Sequence, residues 1–153
     1  MKIEYRKATL RDIQKMEDLV LPEVESGVIL ERSPDEMATN IRSYMLALSD
    51  DSLVGFCALH IHTSSLAEIR SLMVDENFRG QRIGENLINK CIDEARELGL
   101  QKLLSLTYKQ SFFENLGFVE INKESLPEHK IWADWIKCKQ FTICNEVTLI
   151  KTL

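Results

Sequence analysis

Apolar and polar positions along the first half of the chain predict strands separated by short helices. "KIEYRKA" alternates with a period of two, which predicts a strand, and "LRDIQKMEDLV" then has helical spacing. Thr9 can cap that helix, with Asp12 three residues on, and Pro22 is expected to break it. A second helix should begin at Pro34, because Ser33 can cap it and a glutamate three residues later can close a capping box.

Three strands are predicted next, in succession. "YMLALS" and "SLVGFCALHIH" flank a turn at Asp50-Asp51, and "LAEIRSLMV" follows a short polar turn. Helical spacing returns in "GENLINKCIDEARELGL", which should end at Gly99, and the apolar run "KLLSLT" predicts a buried strand. "SFFENLGF" predicts a short helix, and "FVEIN" and "FTICNEVTLIKTL" predict two closing strands, with a helix near Pro127 between them.

The order of these elements predicts a mixed α/β (α+β) fold. We expect a single domain over residues 1–153, built on a central sheet of about six to seven strands with flanking helices. The N-terminal half of the sheet should be antiparallel, whereas the strand–helix–strand crossover makes its two strands parallel. Ligands of such sheets favour the carboxyl ends of the strands where the order changes.

Composition and charge narrow the classes of function. The 153 residues carry a formal net charge of -5, which argues against a general nucleic-acid binder with a basic face. No apolar run is long enough to span a bilayer, and the charged N-terminus lacks the apolar centre of a signal peptide. We therefore expect a cytoplasmic protein without membrane or nucleic-acid partners. The four cysteines should not form a disulfide framework there.

Histidines and cysteines give only weak signals for a metal or a nucleophile. His60 and His62 would share one strand face, but no third ligand is evident, so we interpret them as polar strand residues. Cys57 and Cys91 lie in apolar stretches and are expected in the core. Cys138 and Cys144 lack the Cys-x-x-Cys spacing of zinc sites. We therefore expect no metal and no acyl-cysteine intermediate.

The stretch "VDENFRGQRIGENLI" gathers two glycines and two arginines between a strand and a long helix. A helix N-terminus attracts anions through its free N–H groups and its dipole. Gly80 and Gly84 would let a phosphate approach the backbone, and Arg79 and Arg82 could add charge. A solvated turn that starts the helix explains the spacing equally well. The G-x-G-x-x-G and P-loop patterns are missing, which excludes those two nucleotide sites.

This stretch resembles the acyl-coenzyme A signature of the GNAT acetyltransferase superfamily, Arg/Gln-x-x-Gly-x-Gly/Ala between a strand and a helix. Arg79, Ile83 and Gly84 fit, whereas Arg82 stands where the first glycine usually lies. "SFFENLGF" is similar to the Phe-Tyr-Glu-x-x-Gly-Phe element, with Phe113 replacing the tyrosine. The resemblance implies a parallel strand pair that splays apart and acetyl-coenzyme A as co-substrate. Strand backbone would bind its pantetheine arm, and loop amides its diphosphate. The implied cofactor-binding residues are Leu72, Met73, Val74, Arg79, Gly80, Gln81, Arg82, Ile83, Gly84 and Phe112.

A finer resemblance covers most of the chain and points to short, stand-alone bacterial N-acetylglutamate synthases. It extends over "GVILERSPDEMATNIRSY", "AEIRSLMVDENFRGQRIG", "LTYKQSFFENLGF" and "LPEHKIWADWIKCKQFTICNE". It implies direct acetyl transfer from acetyl-coenzyme A to the α-amine of L-glutamate, the first step of arginine biosynthesis. Rival interpretations are another small amine or a protein N-terminus as acceptor, or a non-catalytic acetyl-coenzyme A-binding module.

Glu68 and Arg70 are two residues apart, so on a strand they would share one face. A carboxylate can take an ammonium proton and a guanidinium can bind a carboxylate, although a surface ion pair is the alternative. The resemblance implies Glu68 as general base and Arg70, with Arg32, as substrate-binding residues. Tyr108 is the nearest acid for the leaving thiol, with Ser111 or water as alternatives. A homodimer could form if the closing strand pairs between chains.

Overall fold

The computed structural model describes residues 2–25, 33–107, 109–122 and 147–153. Four α-helices occur in these residues: α1 (Ile13–Glu25), α2 (Pro34–Thr39), α3 (Ile83–Leu98) and α4 (Gln110–Glu114). The strands are β1 (Ile3–Lys7), β2 (Tyr44–Ser49), β3 (Ser52–Ile61), β4 (Leu66–Val74), β5 (Lys102–Thr107), β6 (Val119–Ile121) and β7 (Val147–Thr152).

These strands form a seven-stranded sheet in the order β1-β2-β3-β4-β5-β7-β6. Strand β2 pairs antiparallel with β1 and β3, and β7 pairs antiparallel with β5 and β6. Strands β4 and β5 are parallel, with Leu66 opposite Lys102 and Ile69 opposite Ser105. The predicted mixed α/β fold, with an antiparallel N-terminal half and a parallel pair, is therefore confirmed.

Local sequence signals account for several element boundaries. Ser33 accepts a hydrogen bond from the Glu36 backbone N–H at 3.1 Å and Pro34 opens α2, as predicted. The prediction that Pro22 breaks the first helix is wrong, because α1 continues to Glu25. Proline removes one backbone donor from the helix, and α1 continues for only three residues beyond Pro22.

One compact unit comprises Met1–Leu59 and Ser71–Cys91. Its core is formed by side chains from the N-terminal helices and from β2, β3 and β4; these are Met16, Met37, Tyr44, Leu46, Leu48, Phe56, Ala58 and Met73. The predicted core cysteines are confirmed: Cys57 and Cys91 are free and fully buried, with their sulfur atoms 3.1 Å apart. The buried face of α3 in this unit contains Ile83, Leu87 and Ile88.

The other compact unit comprises His60–Arg70 and Ile92–Leu153. Leu66 and Leu104 form its apolar cluster, against which side chains of β5, β6 and β7 pack. Helix α3 ends as predicted, because Gly99 adopts φ +87° and donates to Arg96, while the next N–H donates to Ala95. In the part of the chain that the structure describes, no helix is long and apolar enough to cross a membrane.

Candidate active site

The connection from β4 to α3 is an ordered turn with two residues in the left-handed region. The Asp75 N–H donates to the Val54 carbonyl at 2.8 Å, and the Asp75 carboxylate accepts from the Asn77 N–H at 2.9 Å. Gly80 then has φ +84° and Arg82 has φ +62°. The Arg82 carbonyl accepts the Asn86 N–H at 3.0 Å, so the turn leads directly into the first turn of α3.

Arg82 explains how the chain departs from the resemblance without losing the backbone shape. A positive φ is the conformation that favours glycine, and a non-glycine residue held there is less stable by about 1–2 kcal/mol. Arg82 takes this conformation while its side chain is exposed. The residue therefore occupies glycine's place in the backbone and adds a guanidinium at the surface of the turn.

The turn has the open backbone that an anion site requires. A Cβ added at Gly80 would meet no other atom within 4 Å, so nothing of the chain crowds this backbone. Arg79, Gln81 and Arg82 are exposed, whereas Ile83 is buried and anchors the start of α3 in the core. The free N–H groups at the N-terminus of this 16-residue helix give the turn a partial positive charge.

The β4 segment that precedes the turn packs closely against Gly55 of β3, a residue that the sequence analysis did not single out. A Cβ added at Gly55 of β3 would lie 2.9 Å from the Met73 carbonyl oxygen and 3.3 Å from a Leu87 methyl carbon. Only a residue without a side chain lets β3 and this part of β4 approach so closely. Met73 is buried and Leu72 and Val74 are half-buried, so any ligand contact from this segment would come from its backbone.

The middle of β4 is irregular. Ser71 has φ +57°, a conformation that strands rarely contain and that marks a break in the regular ladder. The parallel register of β4 with β5 covers Leu66–Ile69, and β4 continues for five more residues to Val74. Backbone groups of that continuation are the ones predicted to bind the pantetheine arm.

Near its start, β4 carries Glu68 and Arg70, whose side chains cluster with that of His62 within one compact unit. Glu68 Oε1 lies 2.8 Å from Arg70 Nε and 2.8 Å from His62 Nε2. The exposed fractions of the side chains are 7% for Glu68, 11% for Arg70 and 0% for His62. Glu68 and Arg70 do pair, but the carboxylate is buried and the guanidinium is largely covered, so the alternative of a surface ion pair is wrong. His62, which we interpreted as a polar strand residue, instead lies just after the end of β3, and its Nε2 contacts the Glu68 carboxylate.

A local signal could have identified the histidine. His62 and Glu68 stand on either side of a short polar turn, in which the His62 N–H donates to the Leu66 carbonyl at 2.9 Å. Residues flanking a tight turn are brought together by the reversal of the chain. Their partnership depends on side-chain direction, which the alternation pattern alone does not specify.

Two predicted site residues, Arg32 and Tyr108, lie outside the described residues, as do Cys138 and Cys144, for which neither a metal nor an acyl intermediate is expected. Within residues 2–25, 33–107, 109–122 and 147–153, no group of three His, Cys, Asp or Glu side chains could hold a metal ion.

Comparison with known proteins identifies the family. Residues 10–118 match the acetyltransferase (GNAT) family. The chain belongs to this family. A GNAT relative from Chlorobaculum tepidum, described as an uncharacterized N-acetyltransferase, is 35% identical over 97% of this chain and 95% of its own length.

Other relatives of this GNAT chain are named for amino-acid acetylation. An amino-acid acetyltransferase of Enterobacter sp. (strain 638) is 28% identical over 83% of this chain, which spans only 29% of that relative. The structure of N-acetylglutamate synthase from Neisseria gonorrhoeae, complexed with coenzyme A and N-acetyl-glutamate, is 27% identical with a TM-score of 0.89. That match covers 100% of this chain and 35% of the neisserial chain.

The GNAT element "SFFENLGF" forms an aromatic cluster around Phe113, which stands where the family element has a tyrosine. Phe113 is buried, and its ring meets those of Phe112 and Phe118 edge to face, with centroids 5.2 Å apart in each case. A phenylalanine has no proton to donate, so the acid for a leaving thiol must come from another group.

Proposed function

We propose that this chain transfers the acetyl group of acetyl-coenzyme A to the α-amine of L-glutamate within a ternary complex. The observation that carries the proposal is the buried Glu68 carboxylate, paired with Arg70 on the strand that leads into the glycine- and arginine-bearing turn. The amino-acid acetyltransferase relatives, and the neisserial structure with coenzyme A and N-acetyl-glutamate, support glutamate as the acceptor. Such a reaction would belong to arginine biosynthesis.

The β4–α3 turn is proposed to hold the diphosphate of acetyl-coenzyme A. Backbone N–H groups from Arg79 to Gly84 would supply donors, and the exposed Arg79 and Arg82 side chains would supply charge. The left-handed φ values of Gly80 and Arg82 support this role, because alternating backbone conformations turn successive N–H groups toward one point. Backbone groups of Leu72–Val74 would bind the pantetheine arm, and Phe112, half-buried on α4, would pack near the cofactor.

Glu68 is proposed as the general base. The substrate amine is protonated at neutral pH and must lose a proton before it can attack the thioester carbonyl. Glu68 would accept that proton, directly or through a water molecule. The new bond joins the amine nitrogen to the acetyl carbon, the carbon–sulfur bond breaks, and coenzyme A leaves as its thiolate. The nitrogen loses a second proton to solvent as the amide forms, which balances the proton that the thiolate takes up. A backbone N–H near Met73 would polarise the carbonyl oxygen.

Arg70 and Arg32 are proposed to bind the two carboxylates of glutamate. Arg70 Nε donates to Glu68 Oε1, and a substrate carboxylate would bind to the same guanidinium beside that contact. This geometry would place the substrate α-amine beside the carboxylate that deprotonates it. Arg32, before α2 in the sequence, would supply the second cation that a dicarboxylic amino acid requires.

The leaving thiolate is proposed to take its proton from Tyr108 or from water. An alkyl thiol has a pKa of about 8.5, so its thiolate is a tolerable leaving group without a strong acid. A Tyr108→Phe variant separates the two sources, since unchanged turnover would assign the role to water.

The experiment that tests the function is a thiol-release assay with acetyl-coenzyme A and a panel of amines. L-glutamate should give the highest kcat/KM, above L-aspartate, L-glutamine, small polyamines and a peptide with a free N-terminus. Mass spectrometry should find N-acetylglutamate in an amount equal to the thiol released. Faster turnover of another amine would reassign the acceptor. Coenzyme A binding without turnover of any amine would contradict an enzymatic role.

A further inference from the structure

His62 makes a contact that packing alone does not explain. Its side chain is fully buried, and Nε2 lies 2.8 Å from Glu68 Oε1. In the part of the chain that the structure describes, its Nδ1 is buried and has no hydrogen-bond partner. A buried polar atom without a partner destabilises a fold, so a residue kept for stability alone would not have this arrangement.

The neighbouring donor fixes the tautomer of the imidazole. Arg70 Nε can only donate, and it points at the same oxygen, Oε1. The arrangement that satisfies both contacts is an ionised Glu68 that accepts one hydrogen bond from Arg70 and one from His62 Nε2–H. Nδ1 then carries only a lone pair. The opposite tautomer would bury the His62 Nδ1–H without an acceptor. It would also require Glu68 to be a neutral acid, so the hydrogen bond from Arg70 Nε would no longer be to a charged carboxylate.

We propose that His62 is a positioning residue for the general base of the transfer reaction. Two donors converge on Oε1, so rotation of the Glu68 carboxylate is restricted and the lone pairs of Oε1 are occupied. Oε2 is therefore the oxygen that takes the proton of the substrate amine. The ring of His62 packs edge to face against the ring of His60, with 4.8 Å between the ring centroids and 71° between the ring planes. This inference rests on the proposed role of Glu68 as base.

The matched substitutions are His62→Phe and His62→Gln. Phenylalanine keeps a ring of similar size and removes both nitrogens, whereas glutamine keeps an amide N–H that can reach the carboxylate. We expect His62→Phe to lower kcat about 10- to 100-fold, because a misplaced base loses most of its advantage. KM for acetyl-coenzyme A should stay within about twofold, and the melting temperature should not fall, because the unpaired Nδ1 is removed as well. His62→Gln should recover most of the lost kcat.

A double-mutant cycle with Glu68→Gln tests whether His62 acts through Glu68. Adding His62→Phe to Glu68→Gln should cause no further loss of kcat, since the base is already absent. The inference is overturned by any of three results: wild-type kcat in His62→Phe, a loss of kcat that follows a matching loss of melting temperature, or multiplicative effects in the double variant. Wild-type kcat in Glu68→Gln would instead contradict the proposed base, and with it this role for His62.

Discussion

Replacing Arg82 with glycine separates the backbone shape of the β4–α3 turn from the charge of its side chain. Arg82 has φ +62°, where an L-residue is less stable by about 1–2 kcal/mol. Glycine avoids that strain but loses more chain entropy on folding, which offsets about 0.5–1 kcal/mol of the gain. The net effect on the free energy of unfolding should be a stabilisation of about 0.5–1 kcal/mol. For a chain of this length that raises Tm by about 1–4 °C.

The same substitution should weaken coenzyme A binding. A charge-assisted contact to phosphate contributes about 1.5–3 kcal/mol, and the exposed position of Arg82 reduces this to about 1–1.4 kcal/mol. The Kd for coenzyme A should therefore rise about five- to tenfold. Arg82→Ala is the matched control, because it removes the same charge but keeps a Cβ in the left-handed conformation. It should lose affinity to the same extent without the rise in Tm.

Thermal unfolding and titration calorimetry measure the two effects separately. The affinity loss should shrink when calorimetry is repeated at high salt, because an exposed charge is screened. Equal melting temperatures for the glycine and alanine variants would refute the backbone argument. An unchanged Kd in both variants would refute the contact between the Arg82 guanidinium and the diphosphate.

Four further substitutions have distinct expected outcomes. Gly55→Ala places a Cβ 2.9 Å from the carbonyl oxygen of Met73 in β4 and should raise KM for acetyl-coenzyme A several-fold. Gly99→Ala is the control: at φ +87° and in open space, the substitution should lower Tm without changing KM. Wild-type KM values for both variants in steady-state kinetics would contradict this prediction. Hydrogen bonds from Arg6 lower the pKa of Asp12 to about 2, so this carboxylate stabilises the fold above about pH 4 and loses the effect as pH falls toward 2. In urea unfolding at pH 7, the free energy of unfolding of Asp12→Asn should be about 1–2 kcal/mol lower than that of the wild type, a value reduced because Arg6 is partly exposed. If the two proteins still differ by this amount at pH 2, the proposed link between stability and the protonation of Asp12 is wrong. Glu68→Gln should lower kcat by about 10²–10⁴ with KM for acetyl-coenzyme A unchanged, and the inference fails if kcat is retained.

Elements with a strong local signal could be predicted from the sequence. Ser33 and Pro34 define the start of α2, and Gly99 ends α3, because capping depends on one or two side chains and their own backbone. The Asp50-Asp51 turn also follows local rules, since both residues tolerate positive φ, here +47° and +68°. The resemblance to the family signature identified the β4–α3 turn. That Arg82 adopts a glycine-like backbone conformation there is seen only in the structure.

Features that depend on contacts between distant segments could not be predicted. Pro22 is a helix breaker by propensity, yet α1 continues past it to Glu25. Gly55 looks like an ordinary strand glycine until the Met73 carbonyl is placed against it. His62 is the exception, because it lies only six residues from Glu68 and the turn between them is a local signal; the spacing from His60 did not specify the direction of its ring.

Hydrogen–deuterium exchange with and without saturating coenzyme A tests most directly whether the β4–α3 turn holds the diphosphate. Peptides that cover Arg79–Glu85 should exchange more slowly with the ligand present, because their backbone N–H groups would donate to phosphate oxygens. In a second comparison, at one subsaturating concentration of coenzyme A, the same peptides should be less protected in Arg82→Ala than in the wild type. Unchanged exchange across this turn, with protection in another segment or in none, would contradict the proposed cofactor site and the acetyl-transfer chemistry that depends on it.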